Sequence, residues 1–128
     1  MNAINVVLAI KIFITVAFLA GPFLLSPQAK LEKRLSISAK SPMLFRLYGV
    51  SMLALAVAYA SGIWQALQGD FPWGIVWMGI VSNGGAAAVL LLVGPRNVSR
   101  AVAAVFGAIA IALLFCALMQ QFALAPLF

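Results

Sequence analysis

The side chains able to do chemistry are few, and the first of them sits where an apolar side chain is expected. The run VVLAIKIFITVAF, Val6 to Phe18, is apolar except for Thr15 and Lys11. An ammonium inside such a run admits three readings. Its four-carbon stem can carry the charge back to an interface, because lysine snorkels. It can meet a neighbouring helix or subunit through carbonyls or an amide such as Asn83. Or it can serve as counter-charge for an anionic ligand or as a proton carrier, since a charge at membrane depth is a functional candidate by default. Asn83 is the second candidate, the one strongly polar uncharged group well inside the later apolar runs. It must hydrogen-bond across helices or to backbone, or else contact a ligand. Lys11 and Asn83 together form a candidate intramembrane polar site.

Other chemistry is excluded by what the chain lacks. There is no histidine, so a bis-histidine haem site cannot form. One cysteine and two acids make a zinc or copper centre untenable. Cys116 alone cannot form a CxxC redox pair and reads as a small packed thiol. No Ser/His/Asp or Cys/His constellation can be assembled. Glu32 and Asp70 fall on different connections, so paired carboxylates for acid–base work are absent. SNGGAAA has neither the lysine nor the preceding strand of a phosphate loop. Independent catalysis is therefore not expected, and no catalytic, cofactor-binding or metal-ligating residue is assigned.

The elements that must position these residues follow from composition. The chain has 128 residues, 66% hydrophobic and 8% charged, against about 25% charged in soluble domains. Four apolar stretches, about 4–25, 43–67, 72–93 and 98–120, each reach the ~20 residues that cross a bilayer. Each must be helical, because backbone amides in lipid have no water to bond. Runs such as AVAAVFGAIAIALLF do not alternate as barrel strands would. The expected fold is an all-α integral membrane protein, a single domain 1–128 built as a four-transmembrane-helix antiparallel bundle. The first stretch carries no basic n-region and exceeds a signal-peptide core, so it reads as a mature span.

Charge placement sets the expected orientation. The first connection, SPQAKLEKRLSISAKS, holds Lys30, Lys33, Arg34 and Lys40, with Arg46 just beyond. The third holds Arg96 and Arg100, whereas the second, LQGDFPW, has Asp70 and no base. By the positive-inside rule both basic connections face the cytoplasm and both termini the periplasm, which places the chain as a multi-pass protein of a bacterial inner membrane. Trp64, Trp73 and Trp77 bracket the outer turn at headgroup level. The net charge of +6 flanks spans, so anionic lipid headgroups rather than nucleic acid are its expected partners. Leu31 and Leu35, one turn apart among charges, suggest a short interfacial helix.

Punctuation is ordinary. Ser41-Pro42 opens the second span, Asp70 with Pro72 the third and Asn97 the fourth, while Gly94-Pro95 ends the third. Gly21-Pro22 falls inside the first span and should bend it, or act as a hinge. Small residues spaced by four are expected to face the bundle or another protein: Ala54, Ala58 and Gly62; Gly84 and Ala88; Ala104, Ala108 and Ala112. The bulky Leu53, Leu90, Leu91, Ile109 and Phe115 would then meet lipid or a partner.

Small multidrug transporters also have four spans but carry a glutamate in the first, where this chain has Lys11. The segment RLYGVSMLALAVAYASG, Arg46 to Gly62, resembles a second span of small bacterial four-span proteins, a likeness that implies no chemistry. The functional expectation is a non-catalytic accessory subunit or assembly factor of a larger membrane complex, respiratory or photosynthetic in type. Membrane lipids and other subunits are the expected partners. Bound lipid is the expected ligand, with quinone or pigment held only at an interface. The alternative is a small oligomeric transporter or channel lined by Lys11 and Asn83.

Overall fold

The computed structural model describes residues 2–35, 38, 41–94 and 96–127, without the side chains of residues 96–99. Expectations about Lys40, Pro95 and the side chains of Arg96 and Asn97 lie outside the described residues. Within them the chain is helical and has no strand. Four helices are long and apolar enough to cross a membrane: Ala3–Leu25, Met43–Leu67, Trp73–Val93 and Arg100–Leu118. The protein is thus a multi-pass membrane protein by length and composition.

The first span is not a uniform helix. It consists of α1 (Ala3–Ile14), a π-helical segment (Thr15–Ala20) and α2 (Gly21–Leu25). The distortion lies in the turn before Gly21-Pro22, because a proline ring collides with the carbonyl four residues earlier. A π turn widens the helix there and lets the Gly21 N–H reach back to the Val16 carbonyl. A Cβ on Gly21 would lie 2.9 Å from that carbonyl oxygen, so the position requires glycine.

A short amphipathic helix, α3 (Gln28–Leu35), follows. Leu31 is buried with Phe23 and Phe45, Leu35 packs beside them, and Lys30, Lys33 and Arg34 are exposed. The expected short helix is therefore present, docked on the end of the first span. The second span is α4 (Met43–Leu67). Its Arg46 donates from both guanidinium nitrogens, to the carbonyls of Phe23 at 2.9 Å and Ser26 at 3.1 Å. These carbonyls end a helix and have no intrahelical partner. Arg46 thus ties α4 to α2 through a fork that lysine cannot reproduce, rather than reaching for headgroups. Arg46→Gln should cost about 1.5 kcal/mol, the low end for hydrogen bonds to a charged group, since the site is only half-buried. Denaturation in mixed micelles measures it, and Arg46→Lys should recover less than half.

The turn between the second and third spans closes α4 with Gly69 at φ +89. The Asp70 N–H bonds the Gln65 carbonyl and the Gly69 N–H that of Ala66, the paired bonds of a glycine-ended helix. Helix α5 (Trp73–Val93) starts after Pro72 with no side-chain cap. Asp70 is exposed, so the expected aspartate cap does not form. Proline at the cap position has no side-chain acceptor to offer. The fourth span, α6 (Arg96–Leu118), stops at Met119, and α7 (Gln120–Leu124) turns away from it. Exposed Gln120 and Gln121 mark where the apolar run ends.

One core cluster draws on all four spans, with Ile4 and Leu8, Tyr59, Val76, and Ile109 and Leu113 among its members. Asn2 pairs with Pro126 across an isolated bridge, and its side-chain amide donates to the Ala66 carbonyl at 3.4 Å. The two ends of the described chain therefore meet beside the Asp70 turn.

Close approach is made by glycine, mostly off the expected ladders, of which Gly62 alone takes part. A Cβ on Gly62 would lie 2.9 Å from Ile75 and 3.1 Å from Leu8. On Gly79 it would lie 2.5 Å from Leu113, and on Gly49 2.8 Å from Leu24. Of the small residues expected to face the bundle or another protein, Gly62 alone is buried. Ala54, Ala88, Ala104 and Ala108 are exposed; Ala58, Gly84 and Ala112 are half-buried, and nothing comes near a Cβ on Gly84. Conversely Ile109, expected to face outward, is in the core. Alanine is apolar enough for either face, so its spacing alone did not fix the direction.

Candidate intramembrane polar site

The buried face of α1 is Ile4, Leu8 and Lys11, continued by Thr15 at the start of the π segment. These residues recur every three or four positions and so share one side of the helix, while Ile10 and Phe13 occupy the exposed side. Lys11 is 4% exposed. Its side chain enters the protein and does not snorkel outward, because its Cα belongs to the face packed against other spans. Nζ lies 4.6 Å from the centroid of the Phe106 ring on α6, a cation–π contact. No ion pair accompanies it among the described residues. Glu32 shares a hydrogen bond with Gln28 on α3, and Asp70 is exposed in the turn between α4 and α5.

Asn83 is 1% exposed. Its amide nitrogen donates to the Gly79 carbonyl at 2.6 Å and to the Tyr59 hydroxyl at 3.2 Å. The Tyr59 and Ser82 hydroxyls are 3.3 Å apart, and Ser82 also donates to the Gly79 carbonyl at 3.3 Å. This knot joins α4 to α5 around Gly79, whose missing side chain leaves room for the Tyr59 ring. Tyr59 was not singled out from the sequence. The available signal was a phenol in the middle of a 25-residue apolar helix, where its hydroxyl needs a partner.

The two halves of the site share one depth. Leu8 meets Gly62, and the first span runs opposite to α4. Lys11, three residues beyond Leu8, therefore lies level with Tyr59, three before Gly62. Tyr59 in turn bonds Asn83. No hydrogen bond joins Lys11 to Asn83 among the described residues. The Oδ1 of Asn83, the Oγ1 of Thr15 and both polar side-chain atoms of Asn5 are buried without a partner in the described residues. Unpartnered polar atoms and one ammonium thus lie in the buried interior. No group of three or more His, Cys, Asp or Glu able to hold a metal occurs among the described residues.

Compared with protein-family models, curated proteins and solved structures, the chain matches none. Its functional reading therefore rests on its own residues.

The basic residues divide. Lys30, Lys33, Arg34 and Arg100 are exposed, and Arg46 is engaged in the fold. Two clefts flank Leu19, Val102 and Phe106 in the half of the protein nearer α3. One, of about 390 Å³, runs between the first span and α6 and includes Ile14, Phe18, Val105 and the Arg34 side chain. The other, of about 380 Å³, reaches Tyr48, Gly85 and Val89 on the far side.

Proposed function

We propose that this chain is a non-catalytic accessory subunit or assembly factor of a larger membrane complex. It would sit in a bacterial inner membrane as an antiparallel four-helix bundle with both ends on the periplasmic face. The supporting observation is the outward direction of its small residues. Ala54 on α4, Gly85 and Ala88 on α5, and Ala104 and Ala108 on α6 are exposed. Membrane helices approach one another closely where side chains are small, and these rows are not used within the chain. The meeting of the ends beside the Asp70 turn, opposite the basic α3, supports the orientation. Respiratory and photosynthetic complexes are settings of this type.

Extraction in mild detergent followed by native mass measurement tests the reading. The wild type should emerge as part of a larger assembly, and Ala104→Leu/Ala108→Leu should release it. A lone wild-type monomer would refute it.

A second reading, an oligomeric transporter or channel, draws support from Lys11 and Asn83 sharing one buried layer. Solute flux unchanged by Lys11→Met would remove it.

A further inference from the structure

The π-helical segment of the first span lies beside an opening in the protein. From Thr15 onward the span follows α4, with Leu24 and Phe23 seated against Gly49. It thereby parts from α6 and opens the cleft bounded by Ile14, Phe18, Val105 and Phe106. Phe18 is 52% and Val105 45% exposed, so the cleft is open sideways, toward the hydrocarbon of a bilayer. Its walls are apolar, and the one charged side chain on them is Arg34.

The charge around that mouth is mostly positive. Lys30 and Lys33 are exposed on the same short helix, and exposed Arg100 precedes Ala101, which belongs to the cleft wall. The nearby acid, Glu32, accepts a hydrogen bond from Gln28. An occupant must therefore combine an apolar chain with an anionic head. A guanidinium matches phosphate oxygens in a paired geometry and is less tightly hydrated than an ammonium.

We propose that this cleft is a lipid site, holding one acyl chain of an anionic phospholipid along Phe18, Val105 and Phe106 with its phosphate on Arg34. The site does not depend on the subunit reading above. A protein that works alone would hold the lipid equally well.

The test uses the full chain in nanodiscs of equimolar phosphatidylglycerol and phosphatidylcholine, released into a native mass measurement. The wild type should retain phosphatidylglycerol over phosphatidylcholine by about tenfold, because both lipids carry the phosphate but only choline adds a quaternary ammonium that the Arg34 guanidinium repels. Arg34→Gln should bring that preference down to about twofold. Lys33→Gln, which removes the same charge from the helix but no side chain from the cleft, should lower it far less than Arg34→Gln. Val105→Trp should abolish retention of both lipids by filling the cleft, with helicity by circular dichroism reporting the fold. Equal retention of the two lipids by the wild type would overturn the proposal. So would an equal loss from Lys33→Gln and Arg34→Gln, which would mean a diffuse surface potential rather than a seat.

Discussion

Gly79→Leu should destabilise the protein by about 3 kcal/mol, the upper part of the overpacking range, whereas Gly84→Leu should stay within ~0.5 kcal/mol, as at open surface positions. Both glycines lie on α5, five residues apart, and both gain similar helix propensity on replacement. They differ in what surrounds them. A Cβ at position 79 would sit 2.5 Å from the Leu113 Cδ1 and 3.3 Å from the Tyr59 ring. Leu113 and Tyr59 are fully buried, with 0% exposure each, so neither has space to withdraw into. Moving Tyr59 also breaks its bond from Asn83, worth about 1 kcal/mol. Around a Cβ at position 84 there is nothing within 4 Å. Detergent titration followed by circular dichroism compares the two variants. Equal losses would show that α5 does not seat on α4 and α6 at Gly79.

That pair also shows where the sequence speaks clearly. The spans are legible because hydropathy is a one-dimensional signal, and the observed helices begin and end within a few residues of the apolar runs. The directions of their faces are not. In lipid both faces of a helix are apolar, so the contrast that marks a buried stripe in a soluble protein is faint. Ala104 and Ala108 have the right spacing for a contact and lie outside; Gly79, outside every ladder, makes the closest approach. The polar residues were the better guide. Asn83 lies one turn after Gly79 and Tyr59 one turn before Gly62, on the faces that prove to be buried. Lys11 and Thr15, four residues apart, likewise mark the inward side of the first span.

The remaining features depend on three-dimensional register. Pro22 announces a distortion, but whether it becomes a kink or a π turn depends on which carbonyls are freed and what packs beside them. The partner of Arg46 could not be foreseen, because two carbonyls at the end of α2 become available only when α4 lies alongside. The clefts follow from the parting of the first span and α6, which no local pattern records.

Lys11→Met should raise stability by about 2 kcal/mol. An unpaired ammonium at the centre of a span costs about 3 kcal/mol on insertion scales, and the Phe106 ring returns about 1–2 kcal/mol of it. Methionine has nearly the same reach, loses that cost, and keeps a sulfur–aromatic contact of about 0.5–1 kcal/mol. Phe106→Leu separates these contributions. Without the ring the ammonium is uncompensated, so Lys11→Met should gain about 1 kcal/mol more in the Phe106→Leu background than in the wild type. The cycle is measurable by the same detergent titration. Should Lys11→Met destabilise the protein instead, the ammonium must have a partner stronger than an aromatic face. If the gain appears as stated, Lys11 is a residue that folding would do better without, and stability does not account for its burial beside Phe106.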